Sequence, residues 1–199
     1  KDDALISFSK EFDKTEFISS DEFKFNKKDF KKSYESLDHK TINNLEFLRK
    51  RIVKFHSEKP MNGWKAEDDA FNEYGQIVRP IKRVGLYAPG GTATYPSSIL
   101  MTAVLANIAG VEEILLSFPP SNKEVTDLML ASCHIGGVTE AVSIGGAQAI
   151  AAMAFGTESI KKVDKIFGPG NKYVAEAKRQ VYGIVGIDSL TGPSEVMII

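Results

Sequence analysis

Apolar positions along this chain follow two regimes that meet near residue 80. Residues 1–25 scatter five Phe among Lys, Asp, Glu and Ser with weak periodicity. Asn26, followed three residues later by Asp29, predicts a short helix through about Ser36, because an N-cap oxygen satisfies an orphan amide there. Behind a second cap at Asp38, Ile42, Leu45, Leu48, Ile52 and Phe55 recur at helical spacing while Lys50, Arg51 and Lys54 fall off the stripe. The pattern breaks at Pro60, Asn62 and Gly63, and residues 73–80 read as extended, with Arg79 turned away from helix by Pro80. The main boundary falls between about Gly75 and Lys82.

Beyond it the alternation is regular. Strands are expected at 84–88, 113–118, 140–144 and 163–167, and helices at about 96–109, 124–133, 147–155 and 171–182. Short apolar strands alternating with helices make βαβ units, hence a parallel sheet with helices on both faces. The fold class expected is α/β, an incomplete Rossmann-like sheet preceded by an N-terminal helical region. The expected division is 1–80 for that region and its lead-in, 81–192 for the Rossmann-like domain, and 193–199 for the first strand of a following segment. The helix at 99–108 is apolar nearly all round and should be deeply sandwiched, whereas Lys172, Lys178 and Arg179 should leave the last helix solvated on one side.

Composition narrows the function classes. Lys plus Arg (25) nearly balances Asp plus Glu (26), so no bulk charge draws the chain to nucleic acid or an anionic membrane. The single Cys133 makes no intrachain disulfide, and no stretch has the length and apolarity of a membrane span. A cytoplasmic location is expected.

Candidate chemistry sits in the glycine-rich junctions. The segment VGLYAPGG at 84–91 comes close to a P-loop, but Gly91 stands where the phosphate-binding Lys belongs. Gly168-Pro169-Gly170 begins like a dinucleotide fingerprint, yet its third glycine position holds Tyr173. What remains is three strand-to-helix turns at one sheet edge, with amides at helix N-termini. Tyr87, Gln148 and Asn171 stand in those turns, and neutral donors and acceptors beside an aromatic face suit a nucleotide better than a metal. Taken alone, Asn171 is as readily a helix cap, and Tyr87 is more often a core-packing residue.

These segments carry a resemblance. VGLYAPGG at 84–91, GGAQAIAAMAFGT at 145–157, VDKIFGPGN at 163–171, AEAKRQ at 175–180 and GPSEV at 192–196 resemble histidinol dehydrogenase, densely from about Arg83 onward. The resemblance implies a zinc-containing homodimer with two incomplete Rossmann-like domains. It also implies NAD-dependent oxidation of L-histidinol to L-histidine through histidinaldehyde, the last step of histidine biosynthesis. Carried over by motif, the NAD contacts fall on Tyr87, Gln148 and Asn171, and a substrate-contacting serine on Ser194. The family's Glu-His acid/base pair and its zinc ligands fall past Val196, so this chain should hold no catalytic residue and no metal ligand. His39, His56 and His134 match none of them. The chain is therefore expected to be an N-terminal portion, inactive alone. A non-catalytic nucleotide-binding or oligomerisation module is the alternative.

Overall fold

The computed structural model describes residues 1–58, 62–90, 95–190, 192 and 195–198. At its centre lies a sheet of six strands: β1 (Lys24–Asn26), β4 (Arg83–Tyr87), β5 (Glu113–Ser117), β6 (Glu140–Val142), β7 (Lys165–Phe167) and β8 (Gly186–Ile187). Across the sheet they stand in the order β1-β6-β5-β4-β7-β8. All neighbours run parallel except β1, which pairs antiparallel with β6, Phe25 opposite Ala141. A separate hairpin, β2 (Trp64–Glu67) with β3 (Glu73–Gln76), carries Trp64 opposite Gln76.

Alternate residues of each strand point to opposite faces, so the sheet has two cores. Val84, Leu86, Ile114 and Leu116 pack against Ile99 and Ala103 of α4 (Pro96–Ile108), Met129 and Cys133 of α5 (Lys123–Gly136), and Phe30 of α2 (Lys27–Ser36). Tyr87, Leu115, Val142 and Ile166 face Ile150 and Met153 of α6 (Gly146–Phe155) and Val174 and Val181 of α7 (Lys172–Val181). The helix α3 (His39–Ser57) lays Leu45 and Ile52 on Leu100 and Val104, which puts α4 between α3 and the sheet. The deep sandwiching expected of that all-apolar helix is what its neighbours provide.

Local chemistry explains the element boundaries. Asn26 and Asp29 form a reciprocal capping box at the start of α2, with Asn26 N donating to Asp29 Oδ2 at 2.8 Å and Lys28 N donating to Asn26 Oδ1 at 2.8 Å. Asp38 Oδ1 accepts from Thr41 N at 2.9 Å and starts α3. At the amino ends of three strands, Arg83 is 5% exposed and donates to Glu113 Oε2 at 2.6 Å and to both carboxylate oxygens of Glu140 at 3.1 and 3.0 Å. One guanidinium thus ties β4, β5 and β6 together at that end.

Several features depart from the expected pattern. The first 25 residues are not an isolated prelude: α1 (Asp2–Phe8) packs on α6, and β1 becomes an edge strand of the main sheet. Of the strand expected within 193–199, the described residues 195–198 have no ladder partner among the described residues, and Val196 and Ile198 are 85% and 92% exposed. A strand forms only where a neighbour accepts its backbone hydrogen bonds.

Candidate dinucleotide site at the sheet edge

From β4 the chain proceeds outward to β5 and β6, then crosses back to place β7 on the other side of β4. The order of strands therefore reverses at β4, and in an open α/β sheet the crevice beyond the carboxyl ends at such a point receives ligands. The loops that border it are the two glycine-rich turns after Tyr87 and after Phe167. Gly168 has φ +119, and a Cβ there would collide with the Tyr87 carbonyl. Only glycine lets these two loop backbones meet.

Tyr87 ends β4 with its side chain turned to the α6 face, 4% exposed. Its hydroxyl accepts from Gly146 N at 3.0 Å, at the first residue of α6. Burial raises the Tyr87 pKa above the usual tyrosine value, the charge of Asp13 adds to this, and the Gly146 amide opposes it. The phenol is therefore neutral at pH 7 and keeps a proton to donate. Gln148 folds back over the same turn, since a Cβ added at Gly146 would lie 2.7 Å from Gln148 Oε1. Tyr87, Gly146 and Gln148 form one cluster.

Asn171 is exposed at the N-cap of α7, where its Oδ1 accepts from Tyr173 N at 3.0 Å and Val174 N at 3.1 Å. The cap commits the side-chain carbonyl. The amide nitrogen makes no hydrogen bond among the described residues, so the cap leaves that donor available on the same side chain. Asn171 stands three residues after Gly168, which abuts Tyr87, and in this way the fold brings the turns of Tyr87, Gln148 and Asn171 to one edge.

A buried pair holds the β7 turn in place. Lys178, 5% exposed, donates to Gly168 O at 2.5 Å and to Asp188 Oδ1 at 2.8 Å, while Asp188 Oδ2 accepts from Gly168 N at 2.9 Å. Both polar groups of one glycine are thereby fixed. Burial pushes the Asp188 carboxyl up, but Lys178 and the amides of Ser189 and Gly168 outweigh it and hold it below the usual carboxylate range. The solvated role expected of Lys178 gives way here, because its partner lies ten residues on, across the sheet edge. The charge pattern of α7 alone contains no sign of that partner; the one signal was Asp188 next to an apolar strand end.

The remaining candidates are placed as follows. Ser194 lies outside the described residues. His39 and His56 are exposed on α3, and His134 rests on Tyr34 with ring centroids 4.8 Å apart. Cys133 is fully buried, and burial pushes its thiol pKa up, which makes it inert. No three His, Cys, Asp or Glu side chains gather as a metal centre among the described residues. A cavity of about 480 Å³ lies away from the crevice, between Lys24, Asn26, Glu140 and Ser159 near the start of β6. The crevice carries the convergent polar groups, and it is the better site despite that hollow.

The fold has counterparts among known proteins. The family model for histidinol dehydrogenase matches residues 1–199. Histidinol dehydrogenase from Neisseria meningitidis is 43% identical over 198 residues, which is 100% of this chain and 46% of that protein. The enzyme of the same name from Mesorhizobium japonicum is 47% identical over 198 residues, again 46% of its length. The crystal structure of histidinol dehydrogenase from Elizabethkingia anophelis superposes with a TM-score of 0.88 at 35% identity, covering 98% of this chain and 45% of that one. The chain thus spans a little under half the length of the relatives it matches.

Proposed function

The chain belongs to the histidinol dehydrogenase family, and from that premise we propose that it carries the dinucleotide side of an NAD-dependent oxidation of L-histidinol to L-histidine through histidinaldehyde. The observation that supports this reading is the convergence of three turns beside the point where strand order reverses: Tyr87 holds the Gly146 turn that carries Gln148, and Gly168, in the turn that leads to Asn171, abuts the Tyr87 carbonyl. The donor set fits a dinucleotide: a neutral phenol, a primary amide, a cap residue with its amide nitrogen unused, and two helix N-termini facing the crevice. When bound, NAD supplies the hydride acceptor. The residues of this chain bind and orient it: Asn171 donates from its side-chain nitrogen, Tyr87 donates its remaining proton, and Gln148 offers both an acceptor and donors. Ser194 is the proposed substrate contact.

Residues 81–192 are taken as the Rossmann-like unit, with α1 and β1 laid against it. The acid/base pair and the zinc ligands implied by the family resemblance are assigned, in this reading, to residues beyond Val196. Zinc, the homodimer and a cytoplasmic location belong to the same proposal for the whole family protein. Among the described residues no helix is long and apolar enough to cross a membrane.

Calorimetric titration with NAD tests the reading. Binding that weakens about tenfold in Asn171→Ala and in Gln148→Ala, the loss of roughly one hydrogen bond each, is the expected result. No binding at millimolar NAD would instead make the segment a structural or oligomerisation module. Histidinol-dependent NAD reduction should be undetectable with this chain alone, zinc added; turnover would sink the assignment of acid/base chemistry to residues not present here.

A further inference from the structure

On the buried stripe of α7 a lysine stands where an apolar residue belongs. Val174, Lys178 and Val181 recur at helical spacing, and none is more than 5% exposed. A buried ion pair is a weak source of cohesion, since well-packed apolar side chains in its place are often neutral or stabilising. Lys178 and Asp188 do something apolar residues could not. The ammonium holds Gly168 O at 2.5 Å, and the carboxylate holds Gly168 N at 2.9 Å while pairing with the ammonium at 2.8 Å.

With N–H and C=O both held, the two peptide planes that flank Gly168 are set. Glycine otherwise has the widest backbone freedom of any residue, so this is the joint of the turn that most needs closing. The setting carries forward to the cap of α7. Pro169 locks its own φ, and a Cβ on Gly170 would collide with Val174, so the chain runs close against the first turn of that helix. Asn171 follows, fixed by its bonds to Tyr173 N and Val174 N. Backward, Gly168 lies against the Tyr87 carbonyl. Asp188 Oδ1 also accepts from Ser189 N at 2.9 Å, so the same carboxylate steadies the chain leaving β8.

We propose that Lys178 and Asp188 are positioning residues for the dinucleotide: by fixing Gly168 they set where Asn171 and the end of β4 stand when a ligand arrives. Neither side chain has to touch the ligand. A shift of about 1 Å at Asn171 exceeds the range over which a hydrogen bond holds, so a loosened Gly168 is enough to forfeit that contact. The proposal rests on the reading that NAD occupies the crevice at Tyr87, Gln148 and Asn171.

The test is calorimetric titration with NAD of the wild-type chain, Lys178→Met, Asp188→Asn and the double variant, each well below its melting transition. Exchange of the Gly168 amide is followed by NMR in the same samples. Each single variant is expected to bind NAD about tenfold more weakly, the worth of roughly one hydrogen bond, and to lose protection at Gly168. The double variant should bind no more weakly than the weaker single variant, because both side chains act through one glycine. Unchanged NAD affinity in the folded single variants, with only the melting temperature lowered, overturns the proposal. Losses that multiply in the double variant overturn it as well, since they mark two independent defects. Should neither single variant fold, the wild type decides: a Gly168 amide already slow to exchange before NAD is added upholds the proposal, and one protected only after NAD overturns it. Weaker binding in Asn171→Ala and Gln148→Ala with none in Lys178→Met or Asp188→Asn would defeat this inference alone. No NAD binding by the wild type would defeat both.

Discussion

At the scale of single residues, the division of labour within Asn171 and Lys178 is what shapes the crevice. Asn171 spends its carbonyl on the α7 cap and presents its nitrogen. Lys178 and Asp188 spend their charges on one glycine. Removing the lysine leaves Asp188 partly buried and unpaired, so Lys178→Met should cost roughly 3 kcal/mol in denaturant unfolding, the low end for a broken buried pair. The pH dependence follows from the direction of the Asp188 shift. A carboxyl held below its unfolded value of about 3.9 contributes stability that is complete above that pH and lost as pH falls through the lower folded value. The gap in melting temperature between wild type and Asp188→Asn should therefore be constant near neutrality and close below about pH 4.

Among the elements, the turn after β7 is the most constrained. Gly168→Ala combines a positive φ with a collision against the Tyr87 carbonyl, whereas a methyl group added at Gly183, φ +95, would meet nothing within 4 Å. Gly183→Ala should cost about 1–2 kcal/mol from conformation alone. Gly168→Ala should cost clearly more in the same unfolding experiment and should also abolish NAD binding. Equal costs would show that the two loops do not meet as described. The helices and central strands were legible because each carries its own signal: the Asn26 and Asp38 caps, the stripe from Ile42 to Phe55, and apolar runs bounded by glycine. What escaped was set elsewhere in the chain. Lys24, Phe25 and Asn26 are too few to show alternation, and they become a strand only because β6 presents an edge. The β2–β3 hairpin is exposed on both faces, so no alternation of burial marks it. Tyr87, Gln148 and Asn171 were legible as polar positions in glycine turns, whereas Asp188 acts across a distance that no local window contains.

For the whole molecule, exposure is unevenly distributed. Trp64, Phe71, Tyr74 and Ile77 on and beside the hairpin, and Phe47 and Phe55 on α3, are all more than half exposed. A two-stranded hairpin with no core of its own is marginal in water. Hydrogen exchange should find amides of 64–76 exchanging orders of magnitude faster than those of β4 and β5. Protection of the hairpin that rises with protein concentration would reveal a partner copy covering it, and uniform protection at high dilution would contradict the exposed placement.

The edge pairing of Lys24 with Val142 has a consequence in time. During synthesis residues 24–26 leave the ribosome well before β6, yet their place in the sheet does not exist until β6 has been made. The central strands β4 and β5, joined by one helix, can pair before then, while β1 must wait for a partner more than a hundred residues downstream. The edge strand is thus installed only after β6 has emerged, later than the central strands. The turn Ser9–Asp13, just ahead of β1, can be held from both sides only once β6 has emerged, so the amino-terminal segment stays open to other partners while the centre of the sheet is built.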